Sequence, residues 1–195
     1  MRIRHMGLAV LLALTTLTGT AAAGPRLFVN PKADMSFYQR IAVVPFANLT
    51  TDMNAGARVT RAFITELVIA GRFDLVEPGE FHGMLERIGG LPDAQGNADP
   101  KKLAEAATQA GATGLIRGAV TEYTVQRNGG DEVPVITFDV EMLDVATQQT
   151  VWRLTMSARG RGRMPVFGGA NRKSFGVLTQ EACEDAVRSL KREAF

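Results

Sequence analysis

Two carboxylates spaced two residues apart, Asp139 and Glu141, form a candidate pair for acid–base chemistry. They fall where apolar and polar residues alternate, and side chains two apart in a β-strand share a face. Two such carboxylates can serve as acid and base when a pocket separates their pKa values. No residue pattern indicates a pocket, and Arg153 in the next predicted strand is a natural ion-pair partner. The pattern therefore favours a solvated sheet face over an active site.

Histidine and cysteine, which build most catalytic and metal sites, are scarce. The histidines are His5 and His82, and the single cysteine is Cys183. If His5 leaves with an export segment, one His and one Cys remain, too few for a His/Cys zinc site. A Ser-His-Asp or Cys-His device would have to use His82, which falls in a short predicted helix and is typical of a surface residue. No phosphate-binding glycine loop precedes a helix, so we expect a non-enzyme without metal or cofactor.

Positive charge is concentrated in a glycine-rich segment near the C-terminus, the basic segment. Its cations are Arg159, Arg161, Arg163, Arg172 and Lys173. Anionic lipid head groups, envelope polymers or an acidic protein surface could bind such a segment. A solvated loop without a partner is the alternative. We take these five residues as a candidate binding site.

Hydrophobic periodicity predicts a strand–helix–strand unit in the N-terminal half. The continuous apolar run 40–47 predicts a buried strand that stops near Pro45. A helix over 57–70, closed by Gly71, leads to a short strand over 73–77. The two strands are expected to be parallel. Two more helices are predicted, over 80–88 and from Asp99-Pro100 onward.

In the C-terminal half, apolar and polar residues alternate with a period of two. Strands are predicted over 113–126, 133–144 and 150–159, each with one apolar and one polar face. Keeping the apolar faces together puts Trp152 in the core and Glu141 beside Arg153. A final amphipathic helix carries Cys183 on its apolar stripe, which favours a core residue over a reactive thiol. The expected fold class is α/β: a mixed sheet with a βαβ-like N-terminal half, a C-terminal antiparallel meander, and helices mainly on one face.

Residues 1–23 have the pattern of a secretory signal peptide. Arg2 and Arg4 precede a short apolar run over 7–17, and alanines 21–23 offer a cleavage site. The run is shorter than the roughly 20 residues of a membrane span, and no later stretch is longer. We expect a periplasmic chain, cleaved near Ala23, with a lead-in over 24–39 and a single domain over 40–195.

Cleavage would change both the charge and the anchoring of the chain. The sequence has 22 basic and 20 acidic residues, and the signal segment holds two arginines and no acid. The cleaved chain is then neutral, which gives no argument for nucleic acid. Thr20 stands where a lipid-anchored precursor has cysteine, so we expect no lipidation. A single cysteine excludes an intramolecular disulfide and leaves pairing between chains open.

Several short motifs occur in a characteristic order. They are the strand closed by Pro45-Phe46-x-Asn48, then Gly71-Arg72-Phe73, then Gly118-x-Val120-Thr121-Glu122. Over about residues 40–192 the chain resembles the CsgG-like periplasmic domain family, which includes the curli secretion component CsgG, LpoB and FlgO and has a fold close to the TolB N-terminal domain. The family's membrane-spanning hairpins and lipid-anchor cysteine are missing here. The resemblance implies a periplasmic module that binds envelope proteins, and it supplies no catalytic residues.

The leading expectation is therefore a non-enzymatic periplasmic accessory protein. It would bind envelope or outer-membrane assembly proteins in a secretion, surface-appendage or cell-wall synthesis complex, without nucleic acid and without a transmembrane segment in the mature chain. The alternative is a module that holds an anionic envelope polymer or lipid surface through the basic segment. A third hypothesis, a hydrolase built on Asp139 or Glu141, requires a concave site. Whether the chain forms a homo-oligomer stays open.

Overall fold

The computed structural model describes residues 26–93, 96–128, 131–160 and 173–194. The predicted signal segment 1–23 lies outside this part of the chain. The strands are β1 (Arg26–Val29), β2 (Arg40–Val43), β3 (Ala47–Asn48), β4 (Asp74–Leu75), β5 (Gly114–Asn128), β6 (Asp131–Asp144) and β7 (Thr150–Arg159). The helices are α1 (Ala55–Ala70), α2 (Pro78–Arg87), α3 (Pro100–Gln109) and α4 (Phe175–Ala194), with a 3-10 turn at Met35–Phe37.

The strands form one mixed sheet in the order β1-β7-β6-β5-β2-β4, with β3 also paired to β5. β2 is parallel to β4 and β5, whereas β5, β6, β7 and β1 are antiparallel in turn. The predicted α/β fold class is confirmed, including the parallel first unit and the antiparallel meander. β1 was not predicted: it lies within the predicted lead-in over 24–39 and forms one edge of the sheet.

Helices cover the two faces of the sheet unequally. The long helices α1 and α4 pack on one face, where Phe63 and Leu67 meet Ile116, Met142 and Trp152 in the main core. The short helices α2 and α3 pack on the opposite face. The smaller core beneath them includes Ala42, Val44, Phe81, Leu85, Leu103, Leu115 and Leu143. The second face is thus covered at one end only.

Local chemistry explains where these elements begin and end. Gly71 ends α1 in the left-handed region (φ +62°), which glycine adopts without a steric penalty. The Asp99 carboxylate accepts a hydrogen bond from the Lys101 N–H at 2.9 Å and caps α3 as expected. Glu77 does the same for the Glu80 N–H at 2.6 Å, so α2 begins at Pro78, earlier than the predicted residue 80. The predicted strand 40–47 divides into β2 and β3 around Pro45, which has no N–H to donate.

Cys183 and Trp152 are both fully buried, as predicted. The Cys183 thiol donates to the Val59 carbonyl at 3.8 Å. Burial, with a smaller contribution from the charge of Glu66, raises the pKa of this thiol to about 12. The thiolate is the reactive form of cysteine, so burial and the raised pKa make Cys183 a core residue and not a reactive thiol. A disulfide to a second chain would require opening the core.

Candidate functional site

One row of side chains crosses the sheet where the second face is uncovered. Phe28 of β1 is the register partner of Arg153 in β7, which pairs with Glu141 in β6, which pairs with Arg117 in β5. The neighbouring row contains Thr155 and Asp139. We call the surface formed by these residues the open sheet face. The surface comprises Phe28, Arg117, Asp139, Glu141, Arg153 and Thr155.

The charges of the open sheet face are arranged around Glu141. Its side chain is only 14% exposed, and it accepts from Arg117 Nε at 2.7 Å and from the Thr150 hydroxyl at 3.1 Å. Arg153 lies farther away, at 3.9 Å, and its side chain is 57% exposed. The predicted proximity of Glu141 and Arg153 is confirmed. Arg117 is the closer partner, and sequence reasoning missed it.

A cavity of about 330 Å³ lies over this face. It forms because Leu49 and the segment containing Gly96 and Asn97 lie beside the interior of β5 and β6. Gly96 has φ +83° and lies against Ala47 of β3, which fixes the segment in this position. No sequence pattern indicates this cavity, because it depends on a loop and strands that are distant in the chain.

Both carboxylates of the hydrolase hypothesis line this cavity, but each already has a partner. Asp139 accepts from the Thr155 hydroxyl at 2.5 Å, and Glu141 is held by Arg117. None of the described residues that line the cavity is a histidine or a cysteine. His82 is exposed on α2 and lines a different cavity, beside Pro45 and Leu91. Paired charges on an open surface are suited to recognition of another molecule.

The basic segment lies mostly outside the described residues, including Arg161, Arg163 and Arg172. Arg159 is exposed at the end of β7, and the Lys173 ammonium forms an ion pair with Glu181 on α4. One of the five predicted cations therefore has an acidic partner within the chain. The binding role of these five residues stays a prediction.

Large apolar side chains are exposed on the edge strand β1 and in the turn that follows β3. Phe28 is 48% exposed, Leu49 58% and Met53 90%. Leu49 and Met53 belong to the turn between β3 and α1. Two large apolar residues within a polar turn were the available signal, since exposed apolar groups near one another mark interaction surfaces.

Two further properties bear on the class of protein. Within the described ranges, no three His, Cys, Asp or Glu side chains lie close enough together to hold a metal ion. In the same part of the chain, no helix has both the length and the apolar character needed to cross a membrane. The fold and the open sheet face define an α/β module whose sheet carries paired charges on one uncovered surface.

The family described as peptidoglycan-synthase activator LpoB matches residues 12–155. The match includes more than half of the chain, and the chain belongs to this family. Its members are accessory proteins of the cell envelope, which agrees with the coarse class expected from the sequence. No curated protein sequence matches the chain. Of the predicted resemblance, the LpoB part is confirmed, whereas the CsgG-like and curli parts find no support in these comparisons.

Solved structures with the same fold come from several bacteria. The PelC dodecamer from Paraburkholderia phytofirmans is 20% identical with a TM-score of 0.58, and the match covers 86% of this chain and 96% of that chain. Lipoprotein GNA1162 from Neisseria meningitidis is 18% identical with a TM-score of 0.55, covering 78% and 98%. At these identities the likeness establishes the fold alone.

Proposed function

We propose that this protein is a non-enzymatic accessory protein of the bacterial envelope that activates a peptidoglycan synthase by direct contact. Family membership supports the activator role, and the open sheet face supplies the contact surface. Its central charge pair, Glu141 with Arg117, is formed without a partner. The outer groups, Arg153 and Phe28, are left exposed to bind one. Aromatic and arginine side chains are enriched among the residues that dominate protein–protein binding energies.

The experiment measures peptidoglycan synthesis by the purified synthase of the same bacterium as this protein is added. We expect stimulation by the wild-type protein. The double variant Phe28→Ala/Arg153→Ala should need at least about tenfold more protein for half-maximal stimulation, because hot-spot side chains contribute about 2 kcal/mol or more each. The matched control is Val177→Ala/Arg188→Ala on α4, where both side chains are also exposed. Equal stimulation by the two double variants would exclude the open sheet face as the contact.

Self-association is a second proposal, supported by the edge strand β1. Leu27 and Phe28 on this strand are 40% and 48% exposed, and an edge strand with exposed apolar side chains favours pairing with another chain. The PelC structure with the same fold is a dodecamer. Light scattering on the purified protein tests this proposal. A monomer at all concentrations would contradict it.

Export without lipidation is the localisation that we propose. Thr20 has a hydroxyl where thioether lipidation needs a thiol, and the alanines at 21–23 supply a cleavage site for release into the periplasm. Intact-mass measurement of the protein from the periplasm should give a chain that begins near Gly24 and carries no acyl mass. A lipid-modified mass or membrane retention would contradict the proposal.

The basic segment supports an alternative role as a binder of anionic envelope polymers. Replacing Arg159, Arg161 and Arg163 with alanine should then weaken retention on an anionic matrix and reduce its dependence on salt. Unchanged retention would remove this alternative and leave the activator role unaffected.

A further inference from the structure

A second cavity, of about 370 Å³, lies between α1 and the first turns of α4. On α1 its lining follows one stripe of the helix, at positions 58, 61, 62, 65 and 66. On α4 it includes Gly176 and Thr179. The missing side chain at Gly176 leaves a gap between the two helices, since a β-carbon there would meet no heavy atom closer than 3.8 Å. The volume is within the range of small-molecule sites, about 300–1,000 Å³.

A buried carboxylate lies in this cleft. Glu66 is only 6% exposed, and its Oε1 has no hydrogen-bond partner among the described residues. A buried carboxylate oxygen without a donor is costly, because it loses water and gains no hydrogen bond. Neighbouring polar atoms do not provide that donor: the Thr179 hydroxyl donates to the Phe175 carbonyl at 2.6 Å. Glu66 therefore offers an acceptor to a donor that enters the cleft.

An unpaired cation lines the same cleft. Within the described part of the chain, no carboxylate comes within 4.0 Å of the Arg61 guanidinium, so it makes no ion pair with Glu66. Arg58, one turn earlier, is already occupied: it pairs with Asp52 at 3.2 Å and lies 5.9 Å from the centre of the Tyr123 ring. Among the described residues, the cleft thus holds a carboxylate with one unpartnered oxygen and a cation without an ion-pair partner.

We propose that this cleft binds a short unblocked peptide, with its ammonium on Glu66 and its terminal carboxylate on Arg61. The Cα atoms of residues 61 and 66, five apart on one helix, are offset by about 7.5 Å along its axis. Two extended residues span at most about 7 Å, which fits a dipeptide or tripeptide better than a single amino acid. Ala62 and the Tyr123 ring provide apolar contacts for the peptide body. The cleft shares no lining residue with the open sheet face, so peptide binding there is independent of the proposed synthase contact.

The test is an NMR titration of the isotope-labelled protein with a panel of unblocked di- and tripeptides that carry apolar side chains, led by L-alanyl-L-leucine. We expect saturable shifts of the backbone amides of 61–66 and 176–180. N-acetylation or C-terminal amidation should weaken binding at least about tenfold, because a hydrogen bond between charged groups is lost. The absence of saturable shifts with every panel member at about 10 mM, ten times a weak 1 mM Kd, would overturn the proposal.

Variants separate a binding role from a structural one. Glu66→Gln should weaken the binding of unblocked peptides at least about tenfold. The control Glu105→Gln, on the exposed face of α3, should leave the affinity unchanged. In Arg61→Ala the free and amidated peptides should bind equally. Gly176→Leu should fill the cleft and abolish binding with the fold intact, since its β-carbon enters open space. Equal affinity of the wild type, Glu66→Gln and Gly176→Leu would overturn the proposal even if one variant proves unstable.

Discussion

Gly96 lies directly against Ala47, so that a β-carbon at residue 96 would stand well inside 3.0 Å of the Ala47 side chain. Gly96 also has φ +83°, in the left-handed region. The substitution Gly96→Ala therefore combines backbone strain with overlap, and we expect a loss of about 2 kcal/mol or more in the free energy of unfolding. Urea unfolding measures this loss.

Gly71→Ala is the matched control for that substitution. Gly71 has a similar φ of +62°, but a β-carbon there meets only the Ile69 carbonyl at 3.8 Å. We expect it to cost only the left-handed strain, about 1–2 kcal/mol. A Gly71→Ala variant as unstable as Gly96→Ala would mean that overlap with Ala47 is unimportant.

The hydroxyl of Thr60 connects α1 to the chain between β2 and β3. It accepts from the Phe46 N–H at 2.9 Å and donates to the Gly56 carbonyl at 2.7 Å, in a buried position. Thr60→Val keeps the shape but leaves the Phe46 N–H without a partner, so we expect a loss of about 1–3 kcal/mol. Thr60→Ser keeps the hydroxyl and should cost about 0.8 kcal/mol for one buried methyl group. Thermal unfolding compares the stabilities of the two variants, and we expect Thr60→Ser to be the more stable. A Thr60→Val variant more stable than Thr60→Ser would contradict the role of the hydroxyl.

The Tyr38 hydroxyl donates to the Asp144 carboxylate at 3.0 Å and couples stability to pH at both extremes. Burial, then this hydrogen bond, raises the pKa of Tyr38 from 10.0 to about 12. Burial acts to raise the pKa of Asp144, but hydrogen bonds from Thr147 and Tyr38 outweigh it and lower that pKa below 3.8. Tyr38 thus stabilises the fold fully below pH 10 and loses this contribution between about pH 10 and 12. Asp144 contributes above pH 3.8 and loses its contribution as the pH falls through its lowered pKa.

Tyr38→Phe tests both ends of this pH dependence. The difference in unfolding free energy between wild type and Tyr38→Phe should be constant near neutral pH. It should shrink above pH 10, where only the wild type has a phenol at position 38 to ionise, and also below pH 3.8, as Asp144 becomes protonated. A difference that does not change with pH would contradict the coupling.

The elements that were predicted correctly have local causes. Gly71 ends a helix and Asp99 begins one because of their own backbone and side-chain chemistry. Glu141 and Arg153 could be paired in advance because alternation with one buried face permits only one register. β1 was missed because four residues in a mixed stretch form a strand only against β7. The cavity over the open sheet face and the cavity between α1 and α4 were missed because each depends on contacts between segments far apart in sequence.

The two arginines beside Glu141 should contribute unequally to stability. Arg117 Nε is 2.7 Å from Glu141, whereas Arg153 is 3.9 Å away and more exposed. Double-mutant cycles with Glu141→Gln should give a coupling of about 1 kcal/mol for Arg117→Ala and about 0.2 kcal/mol for Arg153→Ala, the two ends of the range for exposed pairs. An arginine that adds little to folding can be replaced without loss of structure. A strong Arg153 coupling would make the loss of stimulation in the Phe28→Ala/Arg153→Ala variant a folding effect, so this cycle must precede the activation assay.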